Sequence, residues 1–174
     1  LSDIADKAVY NELLSYSDVY ENVIFMSRNQ SLSFDDMLFT CLNPVKNSGG
    51  LDGANDYSLV FKMTYKEFDM LFTGDISERI EKELVNISDC DVLKVAHHGS
   101  KNSSSEEFLN IVSPKIAVIS AGQRNTYGHP HLETIERLKE CGAGILCTKD
   151  TGAIIISTDG HETRVGVKKR QSLF

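Results

Sequence analysis

The sequence predicts an α/β fold, on three observations. From Asp75 onward short β-rich runs alternate with amphipathic segments, the order of a sheet covered by helices. Several runs end in polar, ligand-type residues, where open α/β sheets gather their functional groups. The hydrophobic share of 41% and charged share of 25% are those of an ordinary globular chain. At 174 residues the chain suits one domain with a real core, so 1–174 is read as a single unit.

Ser2 can cap an opening helix, with Ile4, Ala8, Val9 and Leu13 on one face. "NVIFMS" and "DMLFTCLN" predict two strands around the polar turn "RNQSLSFD". Asn43 to Asp56, dense in Gly, Asn and Asp, predicts a long loop, which in a compact domain is either disordered or functional. "YSLVFKMTY" and "FDMLFTG" predict a hairpin of largely buried strands. Ile76, Ile80, Leu84 and Ile87 recur at the spacing of an amphipathic helix.

Strand "DVLKVA", helix "SSEEFLNIV", strand "KIAVIS", helix "LETIERLKEC", strand "GILCT" and the hairpin "GAIIIS" with "HETRVGV" complete the order. The basic cluster from Arg164 predicts a solvated tail over residues 164–174.

Composition excludes some functions. A net charge of -7 argues against a dominant electrostatic grip on nucleic acid, so any such contact is local. No apolar run approaches the roughly 20 residues of a membrane helix. Cys41, Cys90, Cys141 and Cys147 lack C-x-x-C spacing and read as core residues or free thiols. The chain opens on Leu with no signal-like segment, which suggests a piece of something longer.

Chemistry concentrates in two stretches. His97 and His98 follow a short strand, and adjacent residues leaving a strand point to opposite sides, so only one can be a core histidine. Gly99 allows close backbone approach, and Ser103 and Ser104, with Glu106 and Glu107 three residues on, form overlapping capping boxes. The helix start beside the histidines is a ready anion site. "NTYGHPHLETIERL" places Pro130 near another helix start, between His129 and His131. Asp75, after Thr-Gly, by itself reads as a turn residue or helix cap.

Together "SLVFKMTYKEFDMLFTGD", "DVLKVAHHGSKNSSSEEFL", "SPKIAVISAG" and "NTYGHPH" closely resemble the metallo-β-lactamase-fold hydrolase domain of ComEC-type late competence proteins, the DNA-uptake channel family. The match runs in order from about Asn55 to Gly160. The resemblance implies an αββα sandwich with two divalent metals, Zn or Mn, in the cleft between its halves. It implies Asp75 as the bridging carboxylate and His98 as a terminal metal ligand. His97, His129 and His131 would act catalytically on the substrate side, with His97 facing the phosphate. Asn55, where many fold members carry a metal-binding His, would line the substrate side with Ser100 and Asn125. DNA or another phosphodiester would be the substrate.

The sequence departs from that family in lacking the run His-x-His-x-Asp-His. The expectation is therefore a partial sandwich, with the N-terminal strands and metal loop missing, derived as a soluble fragment from a membrane-anchored bacterial protein. Two ligands fall short of the roughly three that hold a catalytic zinc, so tight metal binding and phosphodiesterase or nuclease activity are not expected of this form alone. The alternatives are a non-enzymatic anion-binding or assembly domain, and a hydrolase whose metal site another chain completes. Missing strands would also expose apolar sheet, favouring a homo-oligomer.

Overall fold

The structure, a computed structural model, describes residues 15, 24–46 and 53–168. The helix expected over the opening residues lies outside them. The four strands β1 (Ser31–Phe34), β2 (Met37–Asn43), β3 (Val60–Tyr65) and β4 (Phe68–Phe72) form an antiparallel meander. β5 (Val92–Lys94), β6 (Ile116–Ile119) and β7 (Gly144–Cys147) extend it in parallel with β4, giving a seven-stranded sheet in sequence order. Helices α1 (Glu78–Glu83), α2 (Glu106–Val112) and α3 (Leu132–Glu140) make the parallel crossovers, and a single turn, α4 (Thr148–Thr151), follows β7. β8 (Ala153–Thr158) and β9 (Thr163–Lys168) pair in a separate hairpin.

The parallel strands are short and apolar because both faces are covered. Leu71, Leu93, Ala117 and Ile119 pack with Ile80, Phe108, Leu109 and Leu138 of the helices. The alternate residues Phe68, Val92 and Val118 pack with Met63 and Met70 and with Ile154 and Ile156 of the hairpin. Helices, large sheet and small sheet are three layers of an αββα sandwich. The far end of the sheet is more open: β1 is exposed throughout, and Leu32, Phe34 and Leu38 lie on the surface.

Four sequence expectations change. Residues 24–27 of "NVIFMS" are not a strand. β1 instead forms within the expected turn, because Gln30 closes a turn onto Ser27 and "SLSF" then pairs back across Asp35 and Asp36. The helix expected over 76–87 is regular only from Glu78 to Glu83, although Ile76, Ile80 and Leu84 are all buried as the spacing required. Ser105, not Ser103 or Ser104, caps α2, its hydroxyl accepting from the Phe108 amide. Residues 164–168 of the expected tail are instead strand, in β9, and its remaining residues lie outside those described.

Ser103 and Ser104 are displaced from capping by a carboxylate. Glu81 of α1 is 3% exposed, and its two oxygens accept the amide hydrogens of Ser104 and Ser105 at the start of α2. Burial pushes the Glu81 carboxyl above its usual range, and the two amides pull it back only in part. From the other side Arg137 of α3 donates to the carbonyls of Ser104 at 2.8 Å, Ser103 at 2.9 Å and Lys101 at 3.1 Å. Thr134 Oγ1 donates to the Ser100 carbonyl at 2.9 Å. The segment from Ser100 to Ser105 is thus held at both its donors and its acceptors.

Replacing Glu81 by Ala leaves the buried Ser104 amide without a partner, and an unpaired buried donor costs about 1–3 kcal/mol. We expect Glu81→Ala to lower the free energy of unfolding by about 2–3 kcal/mol in urea titrations, with Glu81→Gln, which keeps one acceptor, falling between. An unchanged midpoint for Glu81→Ala would remove this link from the account.

Candidate functional site

Register brings the loops together. Phe72 of β4 pairs with Lys94 of β5, and Lys94 with Val118 of β6, so the three parallel strands end side by side and their following loops meet. The loops are tied directly to one another. Thr73 Oγ1 donates to the Lys94 carbonyl at 2.6 Å, and the His97 amide donates to the Gly74 carbonyl at 3.1 Å. Ser58, just before β3, accepts the Asp75 amide at 3.1 Å, which draws the 3₁₀ turn Ala54–Tyr57 to the same end. Within that turn Asp56 is buried, bonded to Arg79 and Ser77 at 2.7 Å each. Burial alone would raise its carboxyl, but the Arg79 and Ser77 contacts hold it below the usual range.

His97 and His98 do not leave the strand on opposite sides as extended residues would. They sit in a tight turn between Val95 and Ser100, both in the left-handed region with φ of 46° and 55°. Two adjacent non-glycine residues there carry backbone strain, which surrounding contacts must hold in place. The His98 ring shows one such contact: Nδ1 lies 2.8 Å from the Ser120 carbonyl. A carbonyl only accepts, so Nδ1 carries a proton, and in the neutral ring Nε2 presents a lone pair. That Nε2 stands 3.7 Å from Asp75 Oδ2.

His131 takes the opposite tautomer. Its Nδ1 accepts the Lys101 amide at 3.1 Å, so in the neutral ring the proton sits on Nε2. Its own amide donates to the Gly99 carbonyl at 2.9 Å, joining the two histidine loops. Asn125 shapes the second loop: Oδ1 accepts the His129 amide, and Nδ2 donates to the carbonyls of His129 and Gly122, all at 2.8 Å.

His129, buried, lies at the centre, its ring 4.8 Å from His131, 5.6 Å from His97 and 6.3 Å from His98. Burial lowers its pKa, positive charge on the three neighbouring imidazoles lowers it further, and Asp75 opposes this in part. Tyr127 stacks on its outer side at 5.8 Å.

The structure therefore brings together Asp75, His97, His98, His129 and His131. Asn55 joins them, with Nδ2 at 3.5 Å from His97 Nε2. Ser100 and Asn125 are placed differently. Ser100 is buried in the turn, where its hydroxyl accepts from the Asn102 amide, and the Asn125 amide group is taken up by backbone. Sequence reasoning passed over Glu81, Arg137 and Ser58, which hold the loops, and quoted Tyr127 without a role. Among the described residues no group of three or more His, Cys, Asp or Glu is placed to hold a metal ion. The described residues therefore do not by themselves make up a whole metal centre, though Asp75 and His98 are of the types that hold one.

Comparison with known proteins places the chain in a family. The sequence profile of the Metallo-beta-lactamase superfamily matches residues 14–123. The chain belongs to that superfamily, whose members generally bind divalent metals. Within it the chain is related to competence proteins: it is 36% identical over 132 residues to "ComE operon protein 3" of Bacillus subtilis, covering 74% of this chain and 17% of that protein. It is 35% identical to "Competence protein ComA" of Neisseria gonorrhoeae, covering 72% and 18%, and 34% identical to "Recombination protein 2" of Haemophilus influenzae, covering 69% and 15%. The chain thus spans less than a fifth of the length of these relatives. A crystal structure from Parabacteroides distasonis, described as a metal-dependent hydrolase, shares the fold with a TM-score of 0.51 at 14% identity, covering 78% of this chain and 61% of that one.

Gly99 gives a direct test of the loop junction. Its φ is +83°, and a Cβ there would lie 2.6 Å from the Pro130 Cβ. Gly99→Ala should cost about 2 kcal/mol or more and push the His129–His131 segment away from His97 and His98. The check is thermal unfolding combined with NMR shifts of the histidine rings. A variant with wild-type stability and unmoved ring signals would contradict the close approach.

Proposed function

We propose that this cluster is part of a metal-dependent phosphodiesterase site. In this reading Asp75 and His98 are two protein ligands of a divalent metal centre, Zn or Mn, and the remaining ligands come from another segment or another chain. The observation that carries it is His98: its Nδ1–H is committed to the Ser120 carbonyl, leaving Nε2 as a lone pair beside the Asp75 carboxylate. A ring nitrogen fixed by a backbone acceptor with the other left open is how metal-bound imidazoles are oriented. Such metals supply charge to a phosphate oxygen and acidify a bound water.

The other groups act on the phosphodiester. His131, with its proton on Nε2, donates a hydrogen bond to a phosphate oxygen. His97 faces the same phosphate, with Asn55 beside it on the substrate side. His129, buried and with its charged form disfavoured by that burial, packs among the other rings. Ser100 and Asn125 serve the substrate indirectly, through the loop shapes they fix. DNA is the phosphodiester suggested by relatives named for competence and recombination.

The test is metal content and turnover of a chromogenic diester and single-stranded DNA. The chain alone should retain less than one metal after dialysis and show no turnover, because two ligands fall short of about three. A polypeptide supplying a His-x-His-x-Asp-His segment, fused or added, should confer turnover that Asp75→Ala and His98→Ala abolish. Two metals held by the chain alone, with turnover, would overturn the incomplete site. No turnover from the completed protein would overturn the hydrolase reading.

A further inference from the structure

Tyr127 is the most exposed large apolar side chain among the described residues, at 76%. A ring that exposed buries little apolar surface, so core packing does not account for its position. It is nevertheless oriented. Its plane lies within 19° of the His129 imidazole at 5.8 Å, so one face rests on the histidine cluster and the other is open to solvent. The loop that carries it is closed by the three Asn125 hydrogen bonds, and Gly128, with φ of +73°, turns the chain directly into His129. The ring is therefore held ready at the mouth of the site, and little freedom is left to lose when something stacks on it.

The local charge fits a nucleic acid better than the whole chain does. Against a net charge of -7, Arg124 is exposed on the same loop as Tyr127, and Lys101 is exposed beside His131, to which its amide is bonded. An aromatic face flanked by cations is the arrangement that binds single strands, where bases stack on the ring and phosphates meet the charges. In a duplex the base faces are already stacked on one another and are not available.

We infer that Tyr127 is a substrate-positioning residue whose open face stacks a nucleobase of single-stranded nucleic acid, setting the adjacent phosphodiester among the histidines. This rests on the phosphodiesterase reading above and adds to it the base and the strandedness of the substrate. The stack needs the aromatic ring and not its hydroxyl.

The experiment measures binding of the purified chain to two labelled oligonucleotides of equal length, one bearing bases and one abasic throughout, by fluorescence anisotropy at fixed low salt. Wild type should prefer the base-bearing strand by about 5- to 100-fold, the range set by stacking one base on an aromatic ring. Tyr127→Ala should bring that strand down to the abasic level while leaving abasic binding unchanged, and Tyr127→Phe should retain the preference. Equal binding of both strands by wild type, or a preference that survives Tyr127→Ala, overturns the stacking role and leaves the phosphodiester reading standing. Loss of the preference in Tyr127→Phe also overturns it, assigning the effect to the hydroxyl. Binding of neither strand overturns the stacking role, whereas the phosphodiesterase reading is decided separately by turnover of the completed protein.

Discussion

The site depends on a buried carboxylate. Glu81 sits on α1, away from the histidines, and accepts the amides of Ser104 and Ser105 at the end of the loop that carries His97, His98 and Gly99. Burying a carboxylate is costly, and here the cost is offset by two amide donors that would otherwise be orphaned at a helix start. Arg137 does the complementary job on the carbonyls of the same segment. A loop fixed at both polarities has no cheap alternative conformation. That is the condition for holding two adjacent histidines in the left-handed region.

Once the loop is fixed, the chemistry of each ring follows from the backbone group it meets. His98 faces a carbonyl and must donate from Nδ1, while His131 faces an amide and must accept at Nδ1. The first is left with a lone pair beside a carboxylate, suited to a metal. The second is left with an N–H, suited to an anion. His129 lies buried between them, and that burial disfavours its charged form. One cluster of similar side chains thereby presents two different hydrogen-bonding characters.

Much of the scaffold was legible in the sequence because it rests on periodicity. Val92 and Leu93, or Val118 and Ile119, are adjacent apolar residues buried on opposite faces, and a continuous apolar run is how such strands read. The convergence of Asp75, His98 and the second histidine pair followed from loops at the ends of neighbouring strands. What was not legible depends on partners distant in the chain. Glu81 adjoins Ile80 on an amphipathic helix and reads as solvated until α2 is seen to end on it. β1 was read as a turn because "SLSF" is half polar and fully exposed, so only its pairing with β2 makes it a strand. The tautomers, and the left-handed turn at His97 and His98, depend on Ser120, Lys101 and Gly74, which no local pattern announces.

The central claim is that backbone contacts, not the rings themselves, decide which nitrogen of each histidine is open. Two-bond proton–nitrogen correlation spectra of the histidine side chains, recorded above the pH at which imidazoles titrate, read this directly. The account predicts the Nδ1–H tautomer for His98 and the Nε2–H tautomer for His131 in the same sample. Both rings in the Nε2–H form, the form usual for free imidazole, would contradict it and remove the lone pair beside Asp75.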